Sequence, residues 1–171
     1  MGDMTNTAPP PRVEVRAYSD ADLEAVVRVF TESVHQLAAR DYSALQRAAW
    51  APQAPALEPW ARRLSSVTTQ VAVDGSEVVA FISHDRAGHI DLLFTAPTQA
   101  RRGIATRLYR SVEESLLAAG VVEAFTEASL TARPFFERCG FVLIREEVVM
   151  RHGTALRRFA MRKPLPPRDR G

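Results

Sequence analysis

A short apolar run, a glycine-containing turn and a long amphipathic segment follow one another in the middle of this chain. The apolar run covers residues 90–94, and the turn reads Ala100-Arg101-Arg102-Gly103-Ile104-Ala105. Apolar residues then recur four apart over residues 104–116, which predicts a helix that starts directly after the glycine. Free backbone N–H groups and the positive end of the helix dipole make such a turn a phosphate site. We therefore expect the chain to hold a phosphorylated ligand here, with two arginines beside it.

Length and composition indicate a globular protein of one domain. The chain has 171 residues, of which 46% are apolar and 25% charged, and both fractions are ordinary for a soluble domain. A net charge of +2 is too small to argue for nucleic acid. No apolar run approaches the ~18 residues of a membrane span, and the first residues do not have the layout of a signal peptide. We therefore expect a cytoplasmic protein with no nucleic-acid or membrane partner.

Cysteine content and the composition of the two ends narrow the organisation further. The single cysteine, Cys139, excludes an internal disulfide and a cysteine-cluster zinc site, and no metal is predicted. Polar, proline-rich composition predicts disordered tails over residues 1–11 and 164–171. Between them, residues 12–163 contain no linker and no repeat, so they are predicted to form a single domain.

Hydrophobic periodicity predicts the order of the elements. A strand at Val13–Ala17 precedes two or three helices, the first opened by a capping box at Ser19 and Asp22 and the second capped by Ser43. A period of two then predicts three antiparallel strands over residues 69–94. The remaining order is helix, strand, helix and two strands. This order predicts a mixed α/β (α+β) fold.

Turn residues set the ends of several later elements. Residues 51–59 contain three prolines and are predicted to form a loop, followed by a helical turn or two over residues 60–64. Gly120 is predicted to end the long helix, and a strand is expected over residues 121–126. A short helix is expected over residues 131–139.

Two separated motifs resemble those of the GCN5-related N-acetyltransferase (GNAT) family. The turn matches the family's pyrophosphate loop, Gln/Arg-x-x-Gly-x-Gly/Ala, at its glycine and its small residue, while Ala100 replaces the leading Gln or Arg. Residues 129–141 match the Ala, Phe and Gly-Phe positions of the family's helix-then-strand motif. There Ser129 replaces a frequent Asn and Phe136 a frequent Tyr.

The resemblance extends over roughly residues 13–161 and has structural and functional implications. In residues 41–43, 49–50, 89–94 and 128–136 the chain looks most like the bacterial YafP-like branch of the family. The resemblance implies the acyl-CoA N-acyltransferase fold, with a mixed, mostly antiparallel central sheet flanked by helices. It also implies transfer of the acetyl group of acetyl-CoA to an amine, and a homodimer is common in the family.

Cofactor contacts are predicted on three segments. By resemblance, the strand before the turn splays from its neighbour, so that the pantetheine arm can pair with it like an added strand. Backbone N–H groups and arginines of the turn are expected to bind the pyrophosphate. The predicted contacts are Leu93, Phe94, Thr95, Arg101, Arg102, Gly103, Ile104, Ala105, Thr106, Ser129 and Phe136.

Amine acetylation requires the acceptor to lose a proton, because a free alkylamine titrates near ~10. Asp91 lies inside an apolar strand, where a carboxylate is either paired or desolvated, and it could instead make a strand-end hydrogen bond. Glu127 ends the next strand at the expected mouth of the cleft. Asp91 and Glu127 are the predicted catalytic residues, and His89 is a third candidate base. Phe136 stands where the family has its usual tyrosine acid and cannot donate a proton.

The acceptor is expected near the first helices and the loop that follows them. Aromatic residues there suit a flat or apolar acceptor and can also hold a cation, although they could equally fill the core. The predicted acceptor contacts are His35, Tyr42, Trp50 and His89. The sequence does not distinguish a small-molecule amine from a peptide amine.

Two other functions are compatible with the same residues. The departures at Ala100, Ser129 and Phe136 also fit a non-catalytic acyl-CoA-binding module. Nucleic-acid binding is the weaker alternative, because the arginines form no cluster with aromatic residues of the kind that single-strand binders show. Release of CoA thiol in the presence of amines distinguishes an enzyme from a binding module.

Overall fold

The computed structural model describes residues 12–167, which form a seven-stranded sheet with helices on both faces. The strands are β1 (Val13–Ala17), β2 (Thr68–Asp74), β3 (Glu77–His84), β4 (His89–Thr95), β5 (Glu123–Ser129), β6 (Val142–Arg151) and β7 (Thr154–Pro164). The helices are α1 (Leu23–Leu37), α2 (Ala44–Trp50), α3 (Leu57–Ser65), α4 (Ile104–Ala118) and α5 (Arg133–Arg138). The predicted tail over residues 1–11 lies outside the described residues, as do residues 168–171 of the second tail.

Sheet order confirms the predicted architecture. The strands lie in the order β1-β2-β3-β4-β5-β7-β6. Neighbouring strands of this sheet are antiparallel except for the parallel pair β4 and β5. The sheet is therefore mixed and mostly antiparallel, with helices flanking it. Since β7 lies between β5 and β6, residues of the last strand adjoin β5 despite their distance in sequence.

Two apolar layers join the sheet to its helices. On one face, α1 buries Val26, Phe30 and Val34 against Phe81 of β3. On the other face, α4 packs against β2, β3 and β4. The residues of α4 predicted to share one face are all buried, namely Ile104, Leu108, Val112 and Leu116. Each side chain of this size contributes about 1.5–3 kcal/mol when fully buried.

A fork in the sheet lies between β4 and β5. The two strands pair only at His89 with Phe125 and at Ile90 with Thr126, within the described residues. Beyond these pairs β4 stays on β3 and β5 stays on β7, so the two strands separate. The splay agrees with what the resemblance implies and leaves the facing backbone edges of β4 and β5 open.

Gly88 fixes the closed end of this fork. Its carbonyl accepts a hydrogen bond from the Phe125 N–H at 3.0 Å. A Cβ at this position would lie 2.2 Å from the carbonyl oxygen of Glu123, and the backbone has φ +98°. Glycine is therefore required for β4 to begin so close to β5.

The start of β5 differs from the predicted position because hydrogen bonds at the end of α4 determine it. β5 begins at Glu123 rather than at residue 121, because Val121 still belongs to the end of α4. The Val121 N–H donates to the Leu116 carbonyl and the Gly120 N–H donates to the Leu117 carbonyl, both at 3.0 Å. These are the two bonds of a Schellman motif.

Helix α3 is longer than the predicted segment of residues 60–64. It begins at Leu57 and ends at Ser65. Pro59 therefore lies in its first turn, where proline is tolerated because the N–H groups there have no helical partner. The predicted loop correspondingly ends before Leu57.

The C-terminal boundary predicted at residue 163 falls too early. Pro164 is still part of β7, and Leu165 is 2% exposed in the core beside α4. The Leu165 N–H donates to the Val122 carbonyl at 2.8 Å. The predicted tail over residues 164–171 is thus wrong for its first two residues, because a single buried leucine outweighs the surrounding prolines.

The capping box of the 3₁₀ turn that leads into α1 predicts a pH-dependent contribution to stability. Asp22 is 7% exposed and accepts hydrogen bonds from the Arg16 guanidinium at 2.7 and 2.8 Å and from the Ser19 N–H at 2.9 Å. The Arg16 guanidinium lowers the pKa of Asp22 to about 2. The carboxylate therefore stabilises the fold above the ordinary pKa of an aspartate, and this contribution is lost as the pH falls towards 2.

Asp22→Asn is accordingly expected to lower the free energy of unfolding by about 1–2 kcal/mol at neutral pH. Urea denaturation at neutral pH and near pH 2 measures the difference, which should shrink in acid. Asp20→Asn is the matched control, because Asp20 is exposed in the same turn. An Asp22→Asn deficit of equal size at both pH values would contradict the role of the ionised carboxylate.

Candidate active site

The fork between β4 and β5 opens a cleft of about 750 Å³. The C-terminal residues of β4 form one wall of the cleft, and β5 and α5 form the opposite wall. The glycine turn and the start of α4 close one end. Most of the predicted cofactor residues line this cleft, namely Leu93, Phe94, Thr95, Arg101, Gly103, Ile104, Ala105, Thr106 and Ser129. The structure thus brings together three segments that the sequence places far apart.

Backbone conformation at the turn opens the helix N-terminus to the cleft. Arg101 and Gly103 have positive φ, at +61° and +78°. The Arg107 N–H donates to the Gly103 carbonyl at 3.1 Å, so the N–H groups of residues 104–106 precede the first helical bond of α4. A Cβ at Gly103 would meet no heavy atom within 4 Å. The turn therefore presents free N–H donors beside open space, which suits a phosphate.

Two predicted cofactor residues do not line the cleft. Arg102 donates to the Gln99 side-chain carbonyl at 2.7 Å. Phe136 is 3% exposed and packs edge-on against Phe141, with ring centroids 5.1 Å apart. The neighbouring Phe135 lines the cleft instead, because one residue along a helix turns the side chain by about 100°. Phe136, predicted as a cofactor contact, therefore does not line the cleft.

A second pocket, of about 340 Å³, adjoins the cleft. Trp50, Phe94 and Ser129 line both cavities. Its wall is a continuous series of aromatic rings from α1, α2, α3, β4 and the segment between α1 and α2. These rings belong to Phe30, Tyr42, Trp50, Trp60 and Phe94. Ring centroids are 4.8 Å apart for Phe30 and Trp60 and 5.3 Å apart for Tyr42 and Trp50.

Both predicted catalytic carboxylates line this second pocket. Asp91 is bound by Arg63 of α3, whose Nε and Nη2 donate to the two carboxylate oxygens at 2.9 and 2.8 Å. Glu127 lies 2.5 Å from the Nε2 of His89. The His89 ring stacks on Phe125 at 4.9 Å between centroids and does not line the pocket. Asp91 is thus engaged in an ion pair, while Glu127 is linked to an imidazole.

Of the predicted acceptor contacts, Tyr42 and Trp50 line the pocket and His35 does not. His35 Nε2 donates to the Ala51 carbonyl at 2.6 Å and so fixes the start of the proline-rich loop. The Tyr42 hydroxyl donates to the Arg157 carbonyl at 2.7 Å and accepts from the Leu130 N–H at 2.9 Å. Burial raises the pKa of Tyr42. Its ring faces the pocket while its hydroxyl joins the first helices to β7.

Sequence reasoning missed several charged residues of this pocket. Arg63 comes from α3, and Arg151, Arg157 and Arg158 come from β6 and β7. The alternation of residues along β6 and β7 indicates which side chains share a face. The sequence does not show that β7 pairs with β5, so it could not place these arginines beside Glu127. Among residues 12–167, no group of three or more metal-ligating side chains is arranged to hold an ion.

The fold and the cleft together define a class of protein. A mixed sheet that forks at a parallel pair, with a glycine turn and a helix N-terminus at the cleft, is the arrangement expected for an acyl-CoA N-acyltransferase. A family model described as an acetyltransferase (GNAT) domain matches residues 38–163. The chain belongs to the GNAT family and is an N-acetyltransferase.

Individual relatives support the same assignment. The chain is 33% identical over 151 residues to the uncharacterized N-acetyltransferase YafP of Escherichia coli K12, covering 88% of this chain and 95% of that protein. A crystal structure of a GCN5-related N-acetyltransferase from Rhodopseudomonas palustris is 32% identical, with a TM-score of 0.86, covering 92% of this chain and 97% of that one. The resemblance to the YafP-like branch is thereby confirmed.

A more distant structure shares the fold. PaiA N-acetyltransferase from Thermoplasma acidophilum, crystallised in complex with coenzyme A, has a TM-score of 0.69 at 21% identity. The match covers 89% of this chain and 98% of that one. At this identity the likeness shows the fold alone.

Proposed function

We propose that the protein transfers the acetyl group of acetyl-CoA directly to the amine of a small molecule or peptide within a ternary complex. The observation that carries the proposal is the junction of the two cavities. Trp50, Phe94 and Ser129 line both the cleft and the adjoining pocket. A thioester in the cleft and an amine in the pocket can therefore meet without a covalent enzyme intermediate.

The donor side of this proposal rests on two sets of backbone groups. The N–H groups of residues 104–106 and the Arg101 side chain offer donors for the pyrophosphate. The open edge of β4 at residues 93–95 offers hydrogen-bonding groups to the pantetheine amides. We propose that these two segments hold the cosubstrate acetyl-CoA.

We propose Glu127 as the general base. It lines the acceptor pocket two residues before Ser129 on the same strand, and the side chains of residues 127 and 129 share a face of the sheet. The amine nitrogen forms the new C–N bond as the C–S bond breaks, and Glu127 takes the proton that the amine releases. His89, hydrogen-bonded to Glu127, can pass that proton to solvent. The departing thiolate needs no enzyme acid, because a thiol titrates near ~8.5.

Asp91 is assigned a positioning role. Both of its carboxylate oxygens accept hydrogen bonds from Arg63, and this ion pair joins α3 to β4 at the pocket. The Arg63 guanidinium also lies 5.9 Å from the centre of the Trp60 ring, in a cation–π contact. The Arg63–Asp91 ion pair therefore helps to hold Trp60 of α3 in the aromatic wall of the pocket. We propose that Asp91 shapes the pocket, while Glu127 handles the proton.

Calorimetric titration of acetyl-CoA, followed by a thiol-release assay over a panel of amines, tests the proposal. We expect binding at submillimolar concentration and CoA release that depends on an added amine. Binding without release for any amine would favour the non-catalytic acyl-CoA-binding module. Absence of binding would overturn the assignment of the cleft.

The helices of the protein bear on whether it crosses a membrane. No helix within residues 12–167 is long and apolar enough to cross a membrane. The cytoplasmic location, the lack of a nucleic-acid partner and the homodimer stay predictions.

A further inference from the structure

One face of the sheet forms the floor of the acceptor pocket. Glu127 and Ser129 of β5 lie opposite Ala160 and Arg158 of β7. Because residues two apart along a strand share a face, and directly opposed residues share it too, these four side chains point to the same side. Glu127, Ser129 and Arg158 all line the pocket. Arg158 therefore stands beside the point where the two cavities meet.

The guanidinium of Arg158 has only one ion-pair partner among the described residues. Its Nε donates to Glu147 of β6 at 2.9 Å, and Glu147 also accepts from Arg145 at 2.9 Å. Two arginines thus share one carboxylate, so Glu147 neutralises Arg158 only in part. The terminal amino groups of Arg158 donate no hydrogen bond within the described part of the chain. Arg151 lines the same pocket and forms no ion pair with any residue of 12–167.

The spacing of Glu127 and Arg158 suits two groups carried on one small molecule. Arg158 is a diagonal neighbour of Glu127 across the β5–β7 pair. Such neighbours are about 7–8 Å apart on a sheet, and both side chains line the same pocket. A carboxylate attached next to an amine can therefore contact Arg158 while the amine contacts Glu127.

Apolar rings form one part of the pocket wall, beside the charged side chains of Arg63, Asp91, Arg151 and Arg157. Five aromatic rings and three prolines, Pro52, Pro55 and Pro59, line it. Its volume of about 340 Å³ is at the lower end of the range for small-molecule sites. An aromatic side chain in this pocket can pack against these rings, where offset or edge-on packing is favourable.

We propose that the acceptor is an aromatic α-amino acid, whose carboxylate binds Arg158, whose amine lies at Glu127 and whose ring packs against Trp50 and Trp60. This inference rests on the proposed acetyl transfer and specifies its substrate class. The product is the N-acetylated amino acid. The reaction forms the amide C–N bond, breaks the thioester C–S bond and releases the amine proton through Glu127.

Steady-state acetylation of matched amines by the full chain tests the inference. L-Phenylalanine, phenethylamine and L-alanine differ by the carboxylate or by the ring. We expect kcat/KM for phenylalanine to exceed that for either of the other two amines at least tenfold. Arg158→Met should reduce the preference for phenylalanine over phenethylamine to less than about threefold, mainly through KM, because charge-assisted bonds to the carboxylate are lost.

Arg162→Met is the matched control for this substitution. Arg162 lies on the same strand and the same face as Arg158, pairs with Glu123 and does not line the pocket. It should retain the full preference for phenylalanine. An equal loss of preference in both variants would overturn the role of Arg158.

The tryptophans provide a readout that does not depend on turnover. The chain has two, Trp50 and Trp60, and both line the acceptor pocket. Phenylalanine added to the protein with coenzyme A should change their fluorescence, with an apparent Kd that rises at least tenfold in Arg158→Met. An unchanged Kd in that variant would overturn the inference.

The outcomes separate this inference from the proposed function. If phenethylamine or another neutral amine is acetylated at least as well as phenylalanine, acetyl transfer stands and the amino-acid inference is wrong. If acetyl-CoA binds but no amine is acetylated, both fail together. Selective acetylation of phenylalanine that depends on Arg158 supports both.

Discussion

Glu127→Gln is expected to lower kcat at least about 100-fold, because a positioned base commonly contributes 10²–10⁴-fold to proton transfer. Glutamine keeps the shape of the side chain and its place near His89 but cannot take a proton from the amine. Affinity for acetyl-CoA should be unchanged, since Glu127 does not line the cofactor cleft. Thiol release at saturating acceptor measures kcat, and calorimetry measures the affinity.

Two further variants make this experiment specific. Glu123 lies on the same strand as Glu127 but outside both cavities. The control variant Glu123→Gln should therefore leave kcat within about twofold of the wild-type value. Asp91→Asn breaks the ion pair with Arg63 and should raise the KM of the acceptor more than it lowers kcat. Full activity in Glu127→Gln together with loss of kcat in Asp91→Asn would transfer the role of base to Asp91.

Gly103→Val is expected to weaken acetyl-CoA binding at least tenfold. The residue has φ +78°, a conformation that costs an L-amino acid roughly 1–2 kcal/mol and a β-branched one more. Its side chain would also project into the open space beside the free N–H groups of α4, where we place the pyrophosphate. Calorimetric titration of acetyl-CoA measures the loss.

Gly75→Val separates the steric effect at the cleft from backbone strain. Gly75 has φ +65° in the turn between β2 and β3, and a Cβ there would also meet no heavy atom within 4 Å. Both variants should therefore lower the melting temperature by similar amounts, while Gly103→Val alone should lose affinity. Equal affinity in the two variants would show that the turn before α4 does not hold the phosphates.

Local features of the site could be predicted from the sequence because they depend on neighbouring residues. The spacing of Leu108 and its partners on α4 defines one buried face, and Gly103 before it marks the turn. Glu127 and Trp50 were placed at the acceptor side, and both line that pocket. For the helix face and the turn, the deciding residues lie close together along the chain.

Long-range features could not be predicted. Arg158 is a surface-type residue in an alternating strand, and it reaches the acceptor pocket only because β7 pairs with β5. Tyr42 lines the acceptor pocket, and its hydroxyl also bonds two backbone groups 88 and 115 residues away in sequence, which the sequence does not show. Phe135 lines the cleft instead of Phe136 because of the orientation of α5 about its own axis. A helix of six residues has too few apolar positions for its sequence to define that orientation.

The fork in the sheet allows a bound ligand to stabilise the native state of this protein. Two residue pairs between β4 and β5 join the two halves of the sheet. Beyond these pairs, the facing backbone edges of the two strands are open in the native state. A ligand that binds only this native state stabilises it by about 2.7 kcal/mol at a concentration one hundred times its Kd. Because proteases remove the open population, a loss of stability of this size changes cellular levels several-fold. We therefore expect cells depleted of coenzyme A to contain less of this enzyme, so that its amount follows the supply of its own acetyl donor.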